Sequence, residues 1–191
     1  MTDVVDGDYM PVLRGERLLL EAYRPEDEEE FVALFQNPLV SRWISDGTDT
    51  EENDRALFGR IFSKVYAERL FDVWAVRREA GGPLIGHAEI KRTDQVAGYE
   101  LVYALAPECW GSGLGTELAE MILTHGFGTL GLPEVYATVA APNEGSLVLL
   151  DRLGFTWVRD IEEEDGSTTR VLVLPRCAPE PSPKRRRRSV S

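Results

Sequence analysis

The chain has 191 residues, a length that predicts one ordinary domain with a substantial buried core. Hydrophobic residues make up 43% and charged residues 28%, which excludes a chain that is disordered throughout. The net charge is -12, but six of the 21 basic residues lie in residues 176–191, so residues 1–175 carry 15 basic and 32 acidic side chains. A body with a net charge of -17 disfavours general nucleic-acid binding and attracts cations.

The first part of the chain predicts one strand followed by two helices. Residues 17–22 contain three consecutive leucines after a glycine turn and form the predicted strand. A helix is predicted to open at Pro25, with three acidic residues in its first turn, and to end before Pro38. The spacing of apolar residues predicts a second helix over residues 51–69.

The remainder of the chain alternates between strand and helix patterns. Strands are predicted over residues 71–78, 84–92, 98–106 and 135–139, helices over 113–127 and 143–153, and a final hairpin from 155–159 and 168–174. This order predicts a mixed sheet with helices. A glycine-rich turn lies between one of its strands and the following helix.

The cysteines, the histidines and the apolar segments show no pattern that indicates a metal site, a disulfide framework or a targeting signal. Cys109 and Cys177 are too few for a disulfide framework or a four-ligand zinc site, and the isolated His87 and His125 are predicted to be structural, so we expect no metal. No signal peptide is readable, and no apolar run approaches about 20 residues, so we expect a cytoplasmic protein without a membrane partner. Three aromatic residues are predicted to lie in the core or in a pocket wall: Trp43, Trp74 and Trp157.

The glycine-rich turn spans residues 110–116 and reads Trp-Gly-Ser-Gly-Leu-Gly-Thr. Free backbone N–H groups and the positive end of a helix dipole make such a turn an anion site. A P-loop requires a lysine that the segment lacks, and a dinucleotide fingerprint requires glycine where Thr116 stands. The pyrophosphate of coenzyme A is the remaining phosphate ligand. A turn that needs glycine for its geometry alone stays open as an alternative.

Further segments accompany this turn in a fixed order. Arg-Leu-Leu-Leu begins at residue 17, Leu-Ile-Gly at 84 and Tyr-Ala-Leu-Ala-Pro at 103, while Asn-Glu-Gly-Ser at 143 is followed by Leu-Gly-Phe at 153. With the turn, they resemble the GCN5-related N-acetyltransferase (GNAT) superfamily over about residues 17–174. The branch that they resemble is that of the RimJ/RimL ribosomal-protein N-acetyltransferases.

The resemblance implies an α+β fold, with a mostly antiparallel, V-shaped mixed sheet of six to seven strands flanked by about four helices. We expect this domain over residues 1–175, followed by a disordered basic tail over residues 176–191. By resemblance, the backbone N–H groups of residues 111–116 would hold the pyrophosphate, and Leu105 would pair with the pantetheine arm. The implied coenzyme-binding set is Leu105, Trp110, Gly111, Ser112, Gly113, Leu114, Gly115, Thr116, Asn143 and Ser146.

The implied chemistry is direct attack of an amine on the thioester of acetyl-CoA. Freeing an alkylamine of its proton at neutral pH costs roughly 4 to 5 kcal/mol, whereas an α-amine costs about 1 kcal/mol, so the first acceptor needs a base more. Glu100 is the candidate base by resemblance, with an outward-facing glutamate paired to a lysine or arginine as the alternative. Ser146 is the candidate acid or the residue that orients the thiol, and a capping serine is the alternative.

Two charged segments allow two interpretations each. Five carboxylates lie between residues 46 and 54, either as a field that concentrates cationic amines or as a solvated loop and helix start: Asp46, Asp49, Glu51, Glu52 and Asp54. The basic run at residues 184–188 is either a solvated or self-associating tail, or a contact with ribosomal RNA or with the acidic body.

The sequence therefore predicts an N-acetyltransferase that takes acetyl from acetyl-CoA. Its acceptor is expected to be a primary amine, either a protein N-terminus or a small cationic amine such as an aminoglycoside or polyamine. The alternative is a domain that binds an acyl-CoA as a sensor or scaffold without chemistry. The resemblance is also compatible with a homodimer.

Overall fold

The computed structural model describes residues 9–44 and 49–176, and within these ranges the chain forms eight strands and five α-helices. The strands are β1 (Leu13–Arg14), β2 (Leu19–Glu21), β3 (Asp72–Arg77), β4 (Gly86–Arg92), β5 (Tyr99–Leu105), β6 (Glu134–Ala140), β7 (Thr156–Glu162) and β8 (Thr168–Pro175). The helices are α1 (Glu28–Gln36), α2 (Pro38–Ser41), α3 (Glu51–Arg60), α4 (Leu114–Gly128) and α5 (Glu144–Arg152). A π-helical turn, Ile61–Tyr66, extends α3.

All eight strands belong to one sheet, in the order β1-β2-β3-β4-β5-β6-β8-β7. Every neighbouring pair is antiparallel except β5 and β6, which are parallel. That parallel pair is short, because it joins only Tyr99 to Val135 and Glu100 to Tyr136 before the two strands diverge. The predicted mixed, mostly antiparallel sheet that opens like a V is confirmed. The eighth strand is β1, whose two residues are too few to give a readable pattern.

One face of the sheet packs against α1 and α3 through a cluster of aromatic rings. The rings of Phe31 and Phe58 each lie 5.7 Å from that of Tyr23, and Phe35 lies 5.4 Å from the ring of His87 on β4. Both His87 and Tyr23 are buried, and the Tyr23 hydroxyl lies 2.8 Å from Nδ1 of His87. His87 therefore belongs to the core on this face.

The opposite face packs against α4. Gly126 permits this close approach, because a Cβ there would lie 2.8 Å from Cδ1 of Ile90 on β4. The buried His125 contacts the edge of the Trp74 ring and lies 2.6 Å, Nε2 to Oδ2, from Asp72 on β3. The histidine of α4 thus ties the helix to the sheet.

The end of the sheet beyond β6 is more exposed than the sequence indicates. Trp74 is fully buried as predicted, but Trp157 on β7 is 62% exposed, so its placement in the core or a pocket wall is wrong. The physical reason is that β7 is the outermost strand and pairs with β8 alone. No helix in the described ranges is long and apolar enough to cross a membrane.

Candidate active site

A cleft of about 1020 Å³ opens where β5 and β6 diverge. It is lined by residues 100–105 of β5 and 137–139 of β6, by much of the glycine-rich turn at 110–116, and by the segment 142–146 that begins α5. The divergence leaves sheet backbone without a partner strand. The cleft therefore offers a strand edge to an extended ligand.

The backbone of β5 directs hydrogen-bonding groups into this cleft. Ala106 N–H donates to the carbonyl of Ile85 at 2.9 Å, on the side of β4. Because backbone groups alternate sides along a strand, Leu105 and Tyr103 present theirs to the opposite side, where β6 has moved away. The Leu105 carbonyl accepts a bond of 2.8 Å from the indole Nε1 of Trp110. We therefore expect the Leu105 N–H to be the group available to a ligand.

The glycine-rich turn ends in the N-terminus of α4. Gly111 (φ 68°) and Gly113 (φ 82°) adopt the left-handed conformation that favours glycine. Gly113 is the N-cap of α4, and no side chain caps the helix. The N–H groups of the first turn, over residues 114–116, have no acceptor within the helix. Together with the helix dipole, these donors can bind an anionic group.

Two members of the predicted coenzyme-binding set do not place their side chains in the cleft. The Ser112 hydroxyl donates to the carbonyl of Cys109 at 2.7 Å, and Leu114 is fully buried in the core. These two residues can contribute backbone groups only. The other members line the cleft: Leu105, Trp110, Gly111, Gly113, Gly115, Thr116, Asn143 and Ser146.

The Arg17 side chain binds the glycine-rich turn and the first turn of α4, a role that sequence reasoning missed. Its Nη1 donates to the carbonyl of Ser112 at 2.8 Å, and its Nε lies 2.8 Å from Oε2 of Glu117 on α4. The backbone N–H of Arg17 donates to the other carboxylate oxygen of Glu117 at 2.6 Å. Arg17 begins the Arg-Leu-Leu-Leu segment, but nothing in that segment indicates that its side chain reaches a turn 95 residues away.

Glu100 lies where β5 and β6 separate, and it is only 5% exposed. Its Oε1 accepts hydrogen bonds from both the backbone N–H, at 3.2 Å, and the hydroxyl of Thr138 on β6. Lys91 stands directly opposite Glu100 in the β4–β5 register but forms its ion pair with Glu89. Glu100 is therefore not the outward-facing, lysine-paired glutamate of the alternative interpretation. Its carboxylate lines the cleft.

The start of α5 brings two hydroxyl groups together on the other side of the cleft. Asn143 is the N-cap, and its Oδ1 accepts from the Ser146 N–H at 3.2 Å, so Asn143 is the residue that caps the helix. Sequence reasoning missed Tyr103, which lines the cleft with Ser146 and whose buried hydroxyl has no hydrogen-bond partner among the described residues. Burial raises the pKa of Tyr103, and the contact with Ser146 lowers it by a smaller amount. The Tyr103 hydroxyl therefore keeps its proton at neutral pH and can donate a hydrogen bond into the cleft.

The acidic segment at residues 46–54, for which the sequence allows two interpretations, lies outside the cleft as far as the structure describes it. Asp49 binds Asn53, Glu51 binds Arg55, and Asp54 is buried against Gln36. These contacts fit the solvated loop and helix start of the alternative interpretation. Asp46 lies outside the described residues, as do Cys177 and the basic run at 184–188. Among residues 9–44 and 49–176, no group of histidine, cysteine or acidic side chains could hold a metal ion.

The arrangement as a whole combines an anion site and a carboxylate at opposite ends of one strand. Glu100 stands near the start of β5 and Leu105 at its end, beside the glycine-rich turn, and a strand of that length spans about 17 Å. The site can therefore hold a long molecule with an anionic end. A reacting group at its other end would lie beside Glu100.

Comparisons with known proteins agree with this geometry. The family described as "Acetyltransferase (GNAT) domain" matches residues 17–156. The chain is 30% identical over 151 residues, 76% of this chain and 82% of the relative, to the uncharacterized N-acetyltransferase YoaA of Bacillus subtilis (strain 168).

Two solved structures share the fold. RimJ of Mycobacterium smegmatis in complex with CoA-disulfide superposes with a TM-score of 0.71, at 20% identity over 86% of each chain. Spermidine N-acetyltransferase of Vibrio cholerae, in complex with CoA and spermine, does so with a TM-score of 0.71, at 19% identity over 83% of this chain and 95% of its own. The domain match, the relative and the cleft in the splayed sheet together establish that the chain belongs to the GNAT family of acetyltransferases.

Proposed function

We propose that the protein transfers acetyl from acetyl-CoA to a primary amine by direct attack, as a member of the RimJ/RimL-like branch. The observation that carries the proposal is the cleft itself, which joins an anion-binding turn to a buried carboxylate along one open strand edge. The GNAT domain match and the CoA in the two similar structures support the same coenzyme. We assign the function to residues 1–175 and to the cytoplasm.

Acetyl-CoA would lie along β5, with its pyrophosphate at the glycine-rich turn. The N–H groups of residues 111–116 and the α4 dipole would bind the phosphate oxygens, and Arg17 holds the turn in place. The Leu105 N–H would donate to an amide carbonyl of the pantetheine arm. Asn143 uses Oδ1 for its cap, which leaves its amide nitrogen for the coenzyme.

The acetyl group would then lie between Glu100 and the two hydroxyls. The amine nitrogen attacks the thioester carbonyl carbon, and Glu100 removes a proton from the amine. The carbon–sulfur bond breaks, and the Ser146 hydroxyl donates a hydrogen bond to the leaving thiolate. The thiolate takes up a proton from solvent, and Glu100 gives the proton that it removed from the amine back to solvent. No covalent bond to the enzyme forms.

The acceptor that we propose is a protein N-terminal α-amine or a small amine. The name of one similar structure, a spermidine N-acetyltransferase, points to a small amine, and the proposed RimJ/RimL-like branch of ribosomal-protein N-acetyltransferases points to a protein N-terminus. An α-amine is the less demanding of the two, since it loses its proton at a cost of about 1 kcal/mol at neutral pH.

The test is thiol release from acetyl-CoA with a panel of N-terminal peptides and small amines, with the acetylated product identified by mass. We expect thiol release that depends on the amine and matches the product mole for mole. A control without an acceptor measures simple hydrolysis. Tight binding of acetyl-CoA without thiol release on any acceptor would instead identify a binding domain without chemistry.

A further inference from the structure

The end of the cleft beside Glu100 is where an acceptor must enter, because the glycine-rich turn occupies the other end. Arg42 and Trp43, which follow α2, and Lys91 of β4 line the same cleft as Glu100. Lys91 stands opposite Glu100 in the strand register, so both side chains project from the same face of the sheet. That face is the one covered by α1 and α3.

We infer that the acceptor amine belongs to a molecule that also carries a carboxylate, and that Arg42 binds this carboxylate while the amine reaches Glu100. The inference rests on the proposed function and narrows its acceptor. It differs from the sequence-based expectation of a cationic small amine, because the charges at the entrance differ from those of the acidic segment at residues 46–54.

The charged side chains of the cleft come from two sides. Among the described residues that line it, Glu144 and Arg152 belong to α5, whereas Arg42, Lys91 and Glu100 belong to the segment after α2, to β4 and to β5. The Lys91 ammonium is already paired with Glu89, and Glu100 is held by Thr138. Arg42 follows α1 and α2, and α1 covers the face of the sheet from which Glu100 projects. The positive charge of Arg42 is therefore the one that we assign to a ligand on this face.

The Arg42 guanidinium lies against an aromatic ring. It lies 4.7 Å from the centre of the Trp43 ring and is exposed, and it forms no ion pair with a described residue. Stacking on an indole orients the planar guanidinium and leaves its N–H edge open. That edge matches the two oxygens of a carboxylate, which an arginine binds through a pair of parallel hydrogen bonds.

An acceptor with a second positive charge fits this entrance less well. A second ammonium on the acceptor would stand beside Arg42, where like charges repel. Two described carboxylates of the acidic segment are engaged outside the cleft, since Glu51 binds Arg55 and Asp54 binds Gln36. A polyamine is therefore a poorer fit to this entrance than an amine with a nearby carboxylate.

The experiment compares acceptors that differ in one charge. Three amidated peptides begin Ser-Glu-Ala-Ala, Ser-Gln-Ala-Ala and Ser-Lys-Ala-Ala, and β-alanine is compared with β-alaninamide as the small-molecule pair. We expect kcat/KM for the glutamate peptide to exceed that for the glutamine peptide about tenfold, with the lysine peptide lowest. If only the peptides show the preference, the acceptor is a peptide with an acidic side chain near its N-terminus. If β-alanine is also used better than β-alaninamide, a carboxylate near the amine is sufficient for recognition.

Two matched variants assign the effect to Arg42. Arg42→Glu should abolish the preference for the glutamate peptide and favour the lysine peptide. Arg60→Glu makes the same charge change at an exposed position on α3 outside the cleft, and it should keep the wild-type order. A thermal unfolding curve for each variant confirms that the fold is intact.

The possible results separate this inference from the function on which it rests. Equal use of the glutamate and glutamine peptides, or an unchanged order in Arg42→Glu, overturns the inference while acetyl transfer stands. Thiol release with none of the acceptors contradicts the proposed function and the inference with it.

Discussion

Glu89 explains why the carboxylate at the active site is not neutralised by its cross-strand neighbour. Glu89 lies on β4, 3.1 Å from Nε2 of His87, and forms an ion pair with Lys91. Burial alone would raise the pKa of Glu89. The hydrogen bond and charge of His87, together with the charge of Lys91, lower it by more, so that the pKa is about 2. Because Lys91 is held by Glu89, the facing carboxylate of Glu100 remains available to an amine.

The same depressed pKa predicts a pH-dependent contribution to stability. The pKa of Glu89 falls from 4.5 to about 2 on folding, which at about 1.4 kcal/mol per unit corresponds to about 3 kcal/mol. This stability is present above pH 4.5 and is lost as the pH falls towards 2. Urea unfolding of Glu89→Gln should therefore show a deficit at neutral pH that shrinks in acid. A deficit that is the same at every pH would contradict this assignment.

At the scale of elements, the β1–β2 connection controls the anion-binding turn. Arg17 lies in this connection and holds both the carbonyl of Ser112 and the carboxylate of Glu117. Contacts across so long a sequence separation position the turn without touching the ligand. The connection between the two N-terminal strands therefore supports the proposed coenzyme site through Arg17.

Replacement of this arginine should weaken coenzyme binding more than turnover. Arg17→Met is expected to raise the KM for acetyl-CoA about tenfold, while kcat at saturation changes less than about twofold, because the loss is one charge-assisted contact to the turn. Arg14→Met removes an exposed arginine from β1 and is the matched control. Steady-state kinetics with calorimetric CoA titration measure both effects. A loss confined to kcat would contradict the bracing role.

Most elements are predictable from local patterns, and the exceptions have physical causes. The β-branched and alternating segments give β3 to β6 within a few residues, and Asn143 and Gly154 bound α5 as caps do. By contrast, β1 has only two residues, and α2 is a single turn after Pro38. The exposure of Trp157 depends on the strand order, which no local pattern contains.

The site is predictable to the extent that its residues lie in contiguous motifs. The glycine-rich turn, Glu100 and Asn143 belong to recognisable segments, and the structure brings them to one cleft. Arg42 and Tyr103 could not be found in this way, because their roles depend on how α2 and α5 approach the sheet. Their only sequence signal is residue type, which does not separate a ligand contact from a surface or core position.

At the scale of the whole molecule, a buried arginine joins the N-terminal segment to the central sheet. Arg77 on β3 is 2% exposed and lies 2.9 Å from a carboxylate oxygen of Glu21 and 2.6 Å from one of Asp27. Its Nη1 also donates to the carbonyl of Gly82 at 2.6 Å. This one side chain therefore neutralises two carboxylates from the strand and helical turn that precede α1.

Loss of that cation should be among the most destabilising single changes in the domain. Arg77→Met is expected to lower the free energy of unfolding by about 3–5 kcal/mol, because the buried Asp27 loses its ion pair and Glu21 keeps only the one with Arg24. Arg60→Met removes an exposed arginine and should change it by less than about 0.5 kcal/mol. Urea unfolding at neutral pH measures both. Equal stability of the two variants would contradict the proposed role.

The net charge of the molecule and the charges at the cleft act on an acceptor in different ways. The acidic body favours the approach of an ammonium group from a distance. The choice between acceptors is instead made at the entrance of the cleft, by Arg42 and its surroundings. Long-range attraction and local recognition therefore act on different parts of the same acceptor.

The central claim is that Glu100 accepts the proton of the attacking amine, and its substitution by glutamine tests it most directly. At saturating acetyl-CoA, Glu100→Gln should lower kcat about 100-fold, and the deficit should grow as the pH falls below the pKa of the acceptor amine, about 8 for an α-amine. The affinity for CoA should be unchanged, as should the activity of Glu68→Gln, an exposed glutamate outside the cleft. Wild-type turnover by Glu100→Gln across this pH range would contradict the account.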